Sequence, residues 1–163
     1  MCIRDRDYVE LYYIHRRDQT VPIEEVTETL KGFVKEGKVK QIGYSEISPS
    51  SLKRASSIHS IAAVQSEYSL STRYPELGLI QQLKNLNATL VAFSPLGRSL
   101  LTDKPHSFAK AQSLNLLKEN PRFLEPNLSY NIKLTNKFRK LASSYNMSAA
   151  ELALSWLLNK DDT

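Results

Sequence analysis

Short apolar segments alternate with amphipathic segments along the first 93 residues of the chain. Four segments rich in β-branched and aromatic residues predict strands, at residues 8–14, 39–44, 61–65 and 88–93. Between them, apolar residues recur at helical spacing, which predicts helices at residues 22–36, 48–58 and 75–86. These connections are too long for hairpins, and parallel strands need such crossovers. The pattern therefore predicts an α/β fold with a parallel sheet.

Local signals define the ends of these helices. Thr20 is the predicted N-cap of the first helix, and Gly37 is its predicted C-terminal stop. Ser48 and Pro49 begin the second helix, while Pro75 begins the third. Each signal is short-range, so it predicts a boundary without any information about packing.

The pattern changes after residue 93. Residues 102–130 are rich in turns, and a connection of this length predicts a functional lid or an insertion. Two more helices follow, the first near residues 134–145. The second begins with the capping box formed by Ser148 and Glu151.

Composition restricts the class of protein. The 163 residues are 41% hydrophobic and 24% charged, which is typical of a globular protein. No apolar run approaches the length of a membrane span, and the first residues lack the apolar core of a signal peptide, so we expect a cytoplasmic protein. The only cysteine is Cys2, which excludes an internal disulfide and a cysteine-based metal cluster.

The net charge of +5 raises the alternative of a nucleic-acid-binding domain. The basic residues are interleaved with acidic ones, however, and mixed signs cancel the field that a phosphate backbone would feel. The three histidines lie far apart without metal-ligand spacing, so we expect no metal site. The glycine motifs of common dinucleotide turns, P-loops and hydrolase elbows are also missing.

Polar residues follow each predicted strand at its carboxyl end, where ligands bind in parallel β/α proteins. They are His15 after the first strand, Ser45 and Glu46 after the second, Gln65 and Glu67 after the third, and Ser94 after the fourth. This alignment of four strand ends predicts a ligand site.

Four motifs in order resemble one family. They are Asp7–Arg16 (DYVELYYIHR), Glu36–Ser45 (EGKVKQIGYS), Val64–Ser69 (VQSEYS) and Val91–Arg98 (VAFSPLGR). Together they are similar to strands four to seven of the aldo-keto reductases, which are NADPH-dependent enzymes built on a (β/α)8 barrel. The resemblance implies a partial TIM barrel and a parent protein that reduces aldehydes or ketones by hydride transfer.

The same resemblance implies a role for individual residues. His15 matches the family's active-site histidine, which orients the substrate carbonyl. The residues that the resemblance assigns to the cofactor NADPH are Ser45, Glu46, Gln65, Phe93, Ser94, Leu96, Gly97 and Arg98. The family usually has Asn where this chain has Glu46, and often Tyr where it has Phe93. A phenyl ring can still stack on the nicotinamide, because stacking needs no hydroxyl.

A full barrel takes about 250 residues, so the resemblance implies a fragment. Residues 7–163 would form a partial reductase domain, and residues 1–6 resemble a non-native leader. The family's catalytic Tyr, Asp and Lys have no counterpart here, so we expect the chain to be inactive by itself. The alternative is a non-enzymatic, reductase-like binding subunit. The expected partner is a small carbonyl substrate, with no nucleic acid and no membrane, and the oligomeric state is left open.

Overall fold

The computed structural model describes residues 7–160. The predicted leader at residues 1–6 and the last three residues lie outside this range. The described residues form two compact units, which we call unit 1 (residues 7–67 and 74–93) and unit 2 (residues 68–73 and 94–160).

Unit 1 contains a four-stranded parallel sheet in the order β1-β2-β3-β4. Its elements are β1 (Val9–His15), α1 (Ile23–Lys35), β2 (Val39–Ser45), α2 (Pro49–Ser56), β3 (Ala63–Glu67), α3 (Leu79–Leu86) and β4 (Thr89–Phe93). Each strand follows the previous one through a helix-containing connection, as parallel pairing requires. The predicted α/β class and parallel sheet are confirmed.

The core of unit 1 lies between the sheet and its helices. Ile42 and Val64 from the strands are fully buried there with Leu30 of α1 and Leu52 of α2. Tyr44 is also buried, although it carries a hydroxyl.

A hydrogen bond accounts for the burial of Tyr44. The Thr27 hydroxyl donates to the Ile23 carbonyl at 2.6 Å, so its only hydrogen is used. The Tyr44 hydroxyl lies 2.8 Å from the same Thr27 oxygen and must be the donor of that pair. Burial raises the pKa of Tyr44, which keeps this hydroxyl protonated.

Two predicted helix starts are wrong. Helix α1 is preceded by Pro22 at the N-cap position, and Thr20 instead donates to the Asp18 carboxylate in a local turn. Pro75 opens a short 3₁₀ turn, Tyr74–Leu77, and α3 begins only after Gly78, whose φ of 125° is open to glycine but not to other residues. The Ser48 cap is confirmed, because its hydroxyl accepts from the Ser51 amide.

Unit 2 contains the remaining helices: α4 (Phe108–Gln112), α5 (Asn127–Ser144) and α6 (Ala149–Leu158). Its core joins Leu100, Ala111, Leu117, Phe123 and Leu128. Most of these residues come from the segment predicted as a lid or insertion. The segment therefore supplies the hydrophobic core of unit 2, which its turn-rich sequence concealed.

Polar contacts hold unit 2 together. Arg139 of α5 donates to the carbonyls of Leu100 and Thr102, and to the carbonyl of Ile132 within its own helix.

Helix α5 begins seven residues before its predicted start, whereas the capping box of Ser148 and Glu151 at α6 is confirmed.

The only tryptophan in the sequence, Trp156, lies in α6. It is half-buried, and the centroid of its ring lies 5.6 Å from that of the Tyr68 ring.

Among the helices of residues 7–160, none has the length and apolar content needed to cross a membrane.

Candidate functional site

The carboxyl ends of the first three strands place three predicted site residues in one row. His15 is the register partner of Ser45, and Ser45 is the register partner of Gln65. Register partners on adjacent parallel strands are side by side about 4.8 Å apart. The three side chains therefore form a continuous polar row across β1, β2 and β3.

The row faces away from the helices. Ile14, Tyr44 and Val64 form the preceding row, and all three pack in the core that the helices cover. Because successive side chains in a strand point to opposite faces, His15, Ser45 and Gln65 point to the other face of the sheet. The site is thus built on the sheet itself.

Gly43 and Tyr13 are register partners two residues before Ser45 and His15, so they lie on the same face of the sheet. A Cβ atom at Gly43 would lie 2.6 Å from Cε1 of the Tyr13 ring and 2.8 Å from the Ala63 carbonyl oxygen. Only glycine fits there, so the Tyr13 ring covers the Gly43 backbone and makes an apolar floor next to the polar row. Burial raises the pKa of Tyr13, which keeps this floor uncharged.

The polar row offers hydrogen-bonding groups that the protein leaves available. Within residues 7–160, the side chains of His15, Ser45 and Gln65 make no hydrogen bond to another protein group. His15 is exposed, Gln65 is half-buried and Ser45 is 6% exposed. Hydroxyl and carboxamide groups supply both donors and acceptors, which suits a planar amide ligand.

Glu46, the residue after the row on β2, is engaged differently. Its Oε1 atom accepts from the Glu67 amide at 2.8 Å and from the Ser66 hydroxyl at 3.1 Å. Its own amide donates to the Gln65 carbonyl at 2.9 Å. The carboxylate therefore links the ends of β2 and β3, and no local sequence pattern predicts this link.

Phe93 is the last residue of β4 and its side chain is half-buried. Its register partner on β3 is Glu67. It is the only predicted cofactor residue of unit 1 that offers a ring face. Ser94, Leu96, Gly97 and Arg98 belong to unit 2.

In unit 2, these residues form a tight loop. The Gly97 amide donates to the Ser94 carbonyl, which closes a turn. Leu96 has φ −92° and ψ 17°, and the next three residues, Gly97, Arg98 and Ser99, all have positive φ. A right-handed residue followed by a left-handed one turns successive amides toward one concave side, which is an arrangement that binds anions.

Gly97 also has no room for a side chain. A Cβ atom there would lie 2.6 Å from the Ser71 hydroxyl. The loop backbone is thus packed closely against the residues that precede it in unit 2, which fixes the direction of its amides.

Positive φ recurs beyond this loop, at residue types that do not predict it. Arg16, Glu46 and Ser94 directly follow three of the four strands, and their φ values are 58°, 54° and 50°. This conformation costs a non-glycine residue on the order of 1 kcal/mol. Such costs concentrate at functional sites.

Residues 7–160 contain no group of three or more His, Cys, Asp or Glu side chains that could hold a metal ion. The strand-end row consists of an imidazole, a hydroxyl and a carboxamide, which are hydrogen-bonding groups that suit an organic ligand.

A parallel β/α sheet with ligand-competent groups at its carboxyl ends is the architecture of barrel and doubly wound enzymes. The chain belongs to the aldo/keto reductase family, whose model matches residues 4–163. The resemblance found from the four motifs is confirmed.

Three relatives give the extent of the likeness. The Glycine max protein named "Probable aldo-keto reductase 1" is 41% identical over 158 residues, which cover 97% of this chain and 45% of the relative. A Schizosaccharomyces pombe aldo-keto reductase, named with NADP(+), is 35% identical over 159 residues, covering 96% of this chain and 47% of the relative. The structure of glycerol dehydrogenase from Gluconobacter oxydans superposes with a TM-score of 0.79 at 26% identity, covering 94% of this chain and 47% of that one.

The chain therefore spans about half the length of the relatives it matches. Its four parallel strands and their helices correspond to part of a (β/α)8 barrel, as predicted.

Proposed function

We propose that this chain supplies the nicotinamide-binding and carbonyl-orienting residues of an NADPH-dependent carbonyl reductase. The observation that carries the proposal is the row of His15, Ser45 and Gln65 on one face of the sheet. When bound, NADPH supplies the hydride that reduces an aldehyde or ketone. The name of the Schizosaccharomyces pombe relative, which specifies NADP(+), supports the choice of cofactor.

The row fits the nicotinamide group. Its carboxamide has one acceptor oxygen and two donor hydrogens in a plane, and the Ser45 hydroxyl and Gln65 carboxamide provide matching groups on adjacent strands. We assign Phe93 to stack on the nicotinamide ring, because an aromatic face is favourable there without a hydroxyl. We assign Glu46 a contact only through its Oε2 atom, since Oε1 already accepts from β3.

We assign His15 to the substrate. It is exposed at the end of β1, and a neutral imidazole N–H can donate to a carbonyl oxygen that gains negative charge during hydride addition. The fixed position of His15 on the strand allows this hydrogen bond to strengthen as the charge develops.

We assign Ser94, Leu96, Gly97 and Arg98 to the cofactor's phosphates. The concave turn presents backbone amides, and Arg98 within the turn carries a guanidinium cation. Charge-assisted hydrogen bonds to phosphate are among the strongest in proteins.

We expect the chain by itself to have little activity, since proton donation to the substrate oxygen is assigned to no residue of this chain. A chimera provides the missing part. Residues 7–160 of this chain replace the matching segment of the Schizosaccharomyces pombe relative, whose remaining residues are expected to complete the barrel.

Arg98→Ala in this chimera is expected to weaken NADPH binding by about 1.5 to 3 kcal/mol, the range for a hydrogen bond to a charged group. Fluorescence titration of NADPH measures the dissociation constant, and added salt should reduce the difference between the variant and the parent chimera. Lys104→Ala is the matched control, because it removes an exposed cation elsewhere in unit 2. Equal affinities at low salt would remove Arg98 from the phosphate contacts.

A further inference from the structure

The hydrogen bonds around Glu46 follow the pattern of a parallel ladder. In a parallel ladder, the amide of a residue donates to the carbonyl of the residue that precedes its register partner. The carbonyl of the same residue accepts from the amide of the residue that follows that partner. The β2–β3 register pairs Gly43 with Ala63 and Ser45 with Gln65, so the next pair in the same register is Glu46 with Ser66.

Glu46 makes the first of the two ladder bonds with its backbone. Its amide donates to Gln65, the residue before Ser66, at 2.9 Å. The second bond should run from the Glu67 amide to the Glu46 carbonyl. The φ of 54° at Glu46 turns the chain out of the strand, and that carbonyl leaves the ladder.

The side chain of Glu46 occupies the vacated position. Its Oε1 atom accepts from the Glu67 amide at 2.8 Å, and the same oxygen accepts from the Ser66 hydroxyl at 3.1 Å. The geometry points to Glu46 as a positioning residue, whose carboxylate replaces its own carbonyl and holds the carboxyl end of β3.

This arrangement has a consequence for Gln65. Glu46 bonds the carbonyl of Gln65 on one side of Ser66 and the amide of Glu67 on the other, so β3 stays paired with β2 past the last regular pair. The end of β3 also pairs with β4 up to Glu67 and Phe93. Gln65 is therefore fixed beside Ser45 from both neighbouring strands.

The length of the side chain and its acceptor oxygen matter, and its charge matters less. Glutamine keeps an acceptor oxygen at the same distance from the backbone, whereas aspartate keeps the charge but is one methylene shorter. A comparison of these two variants separates the effect of side-chain length from the effect of charge, and neither substitution adds side-chain volume.

Amide hydrogen exchange of the chain, measured by NMR without nucleotide, tests the inference. We expect E46D and E46A to speed exchange of the Glu67 amide by at least about tenfold, because that amide loses its acceptor in both variants. E46Q should stay within about threefold of the unsubstituted chain, because an acceptor remains in place. The Leu30 amide of α1 is the internal reference and should not change.

Unchanged exchange of the Glu67 amide in E46D would overturn the inference. Exchange in E46Q as fast as in E46D would overturn it as well, because an acceptor oxygen at the right distance would then not be enough to hold the Glu67 amide. Since E46D and E46Q differ by small changes at an exposed residue, the comparison remains decisive if E46A disturbs the fold.

The effect on ligand binding rests on the proposed function. In the chimera, E46D should weaken NADPH binding by about tenfold, because the shorter side chain no longer holds the end of β3 and Gln65 is misplaced. NADPH affinity in E46D equal to that of the unsubstituted chimera would overturn this effect on the cofactor site. The exchange experiment uses no nucleotide, so failure of the proposed function would leave its outcome unaffected.

Discussion

Gly43→Ala should lower the free energy of unfolding by about 3 kcal/mol, the upper part of the usual range for overpacking. The added methyl group would lie 2.8 Å from the Ala63 carbonyl oxygen and 2.6 Å from the Tyr13 ring. The ring belongs to a side chain that can move. The carbonyl belongs to the backbone of the adjacent strand, so the sheet itself would have to distort.

Urea unfolding followed by far-ultraviolet circular dichroism measures this change. Gly32→Ala is the matched control, because Gly32 lies within α1 and a Cβ atom there meets nothing within 4 Å. Alanine in a helix interior should raise stability by about 0.5 to 1 kcal/mol. Adding Tyr13→Ala to Gly43→Ala should restore only part of the loss. A Gly43→Ala variant as stable as the unsubstituted chain would contradict the close packing of β1, β2 and β3.

His15→Ala in the chimera should reduce kcat for an aldehyde by about 10²- to 10³-fold, the cost of removing one donor to a developing oxyanion. NADPH affinity should change by less than about 1 kcal/mol, or roughly fivefold, because His15 is assigned to the substrate oxygen. Steady-state kinetics and NADPH titration separate the two effects.

His59→Ala is the control for this prediction, since it removes an imidazole from unit 1 beyond the end of α2. A His15→Ala chimera with unchanged kcat would make His15 a structural residue. A loss confined to NADPH affinity would move it to the cofactor contacts.

Local signals in the sequence were sufficient for most of unit 1. β-branched residues identified all four strands within about two residues, which is the usual uncertainty of element ends. Ser48 and the Ser148 capping box were also found, because a helix cap depends on a few neighbouring residues.

The N-cap prediction for Thr20 and the lid prediction for residues 102–130 missed structure for two different physical reasons. Thr20 has the chemistry of an N-cap, but the Asp18 carboxylate binds its amide and hydroxyl first. Residues 102–130 look like a lid because their helices are short, yet Ala111 and Phe123 are fully buried. Their burial depends on packing among distant segments, which local patterns do not contain.

The candidate site also contains a part that the sequence predicts and a part that it does not. The row of His15, Ser45 and Gln65 could be predicted, because parallel strands bring their carboxyl ends to one edge. The link from Glu46 to β3 could not, since it depends on the β2–β3 register and on a positive φ at Glu46. The functional roles of these residues remain predictions until they are measured.

The most direct test of the central claim is NADPH binding and aldehyde reduction by the chimera. The parent Schizosaccharomyces pombe protein is assayed beside it, and a cooperative urea transition establishes that the chimera is folded. We predict that the folded chimera binds NADPH within about tenfold of the parent's affinity, a difference of about 1.4 kcal/mol, and oxidises it in the presence of an aldehyde. A folded chimera that binds no NADPH would contradict the assignment of a cofactor site to this chain, and one that binds NADPH without reducing an aldehyde would favour a non-enzymatic binding subunit.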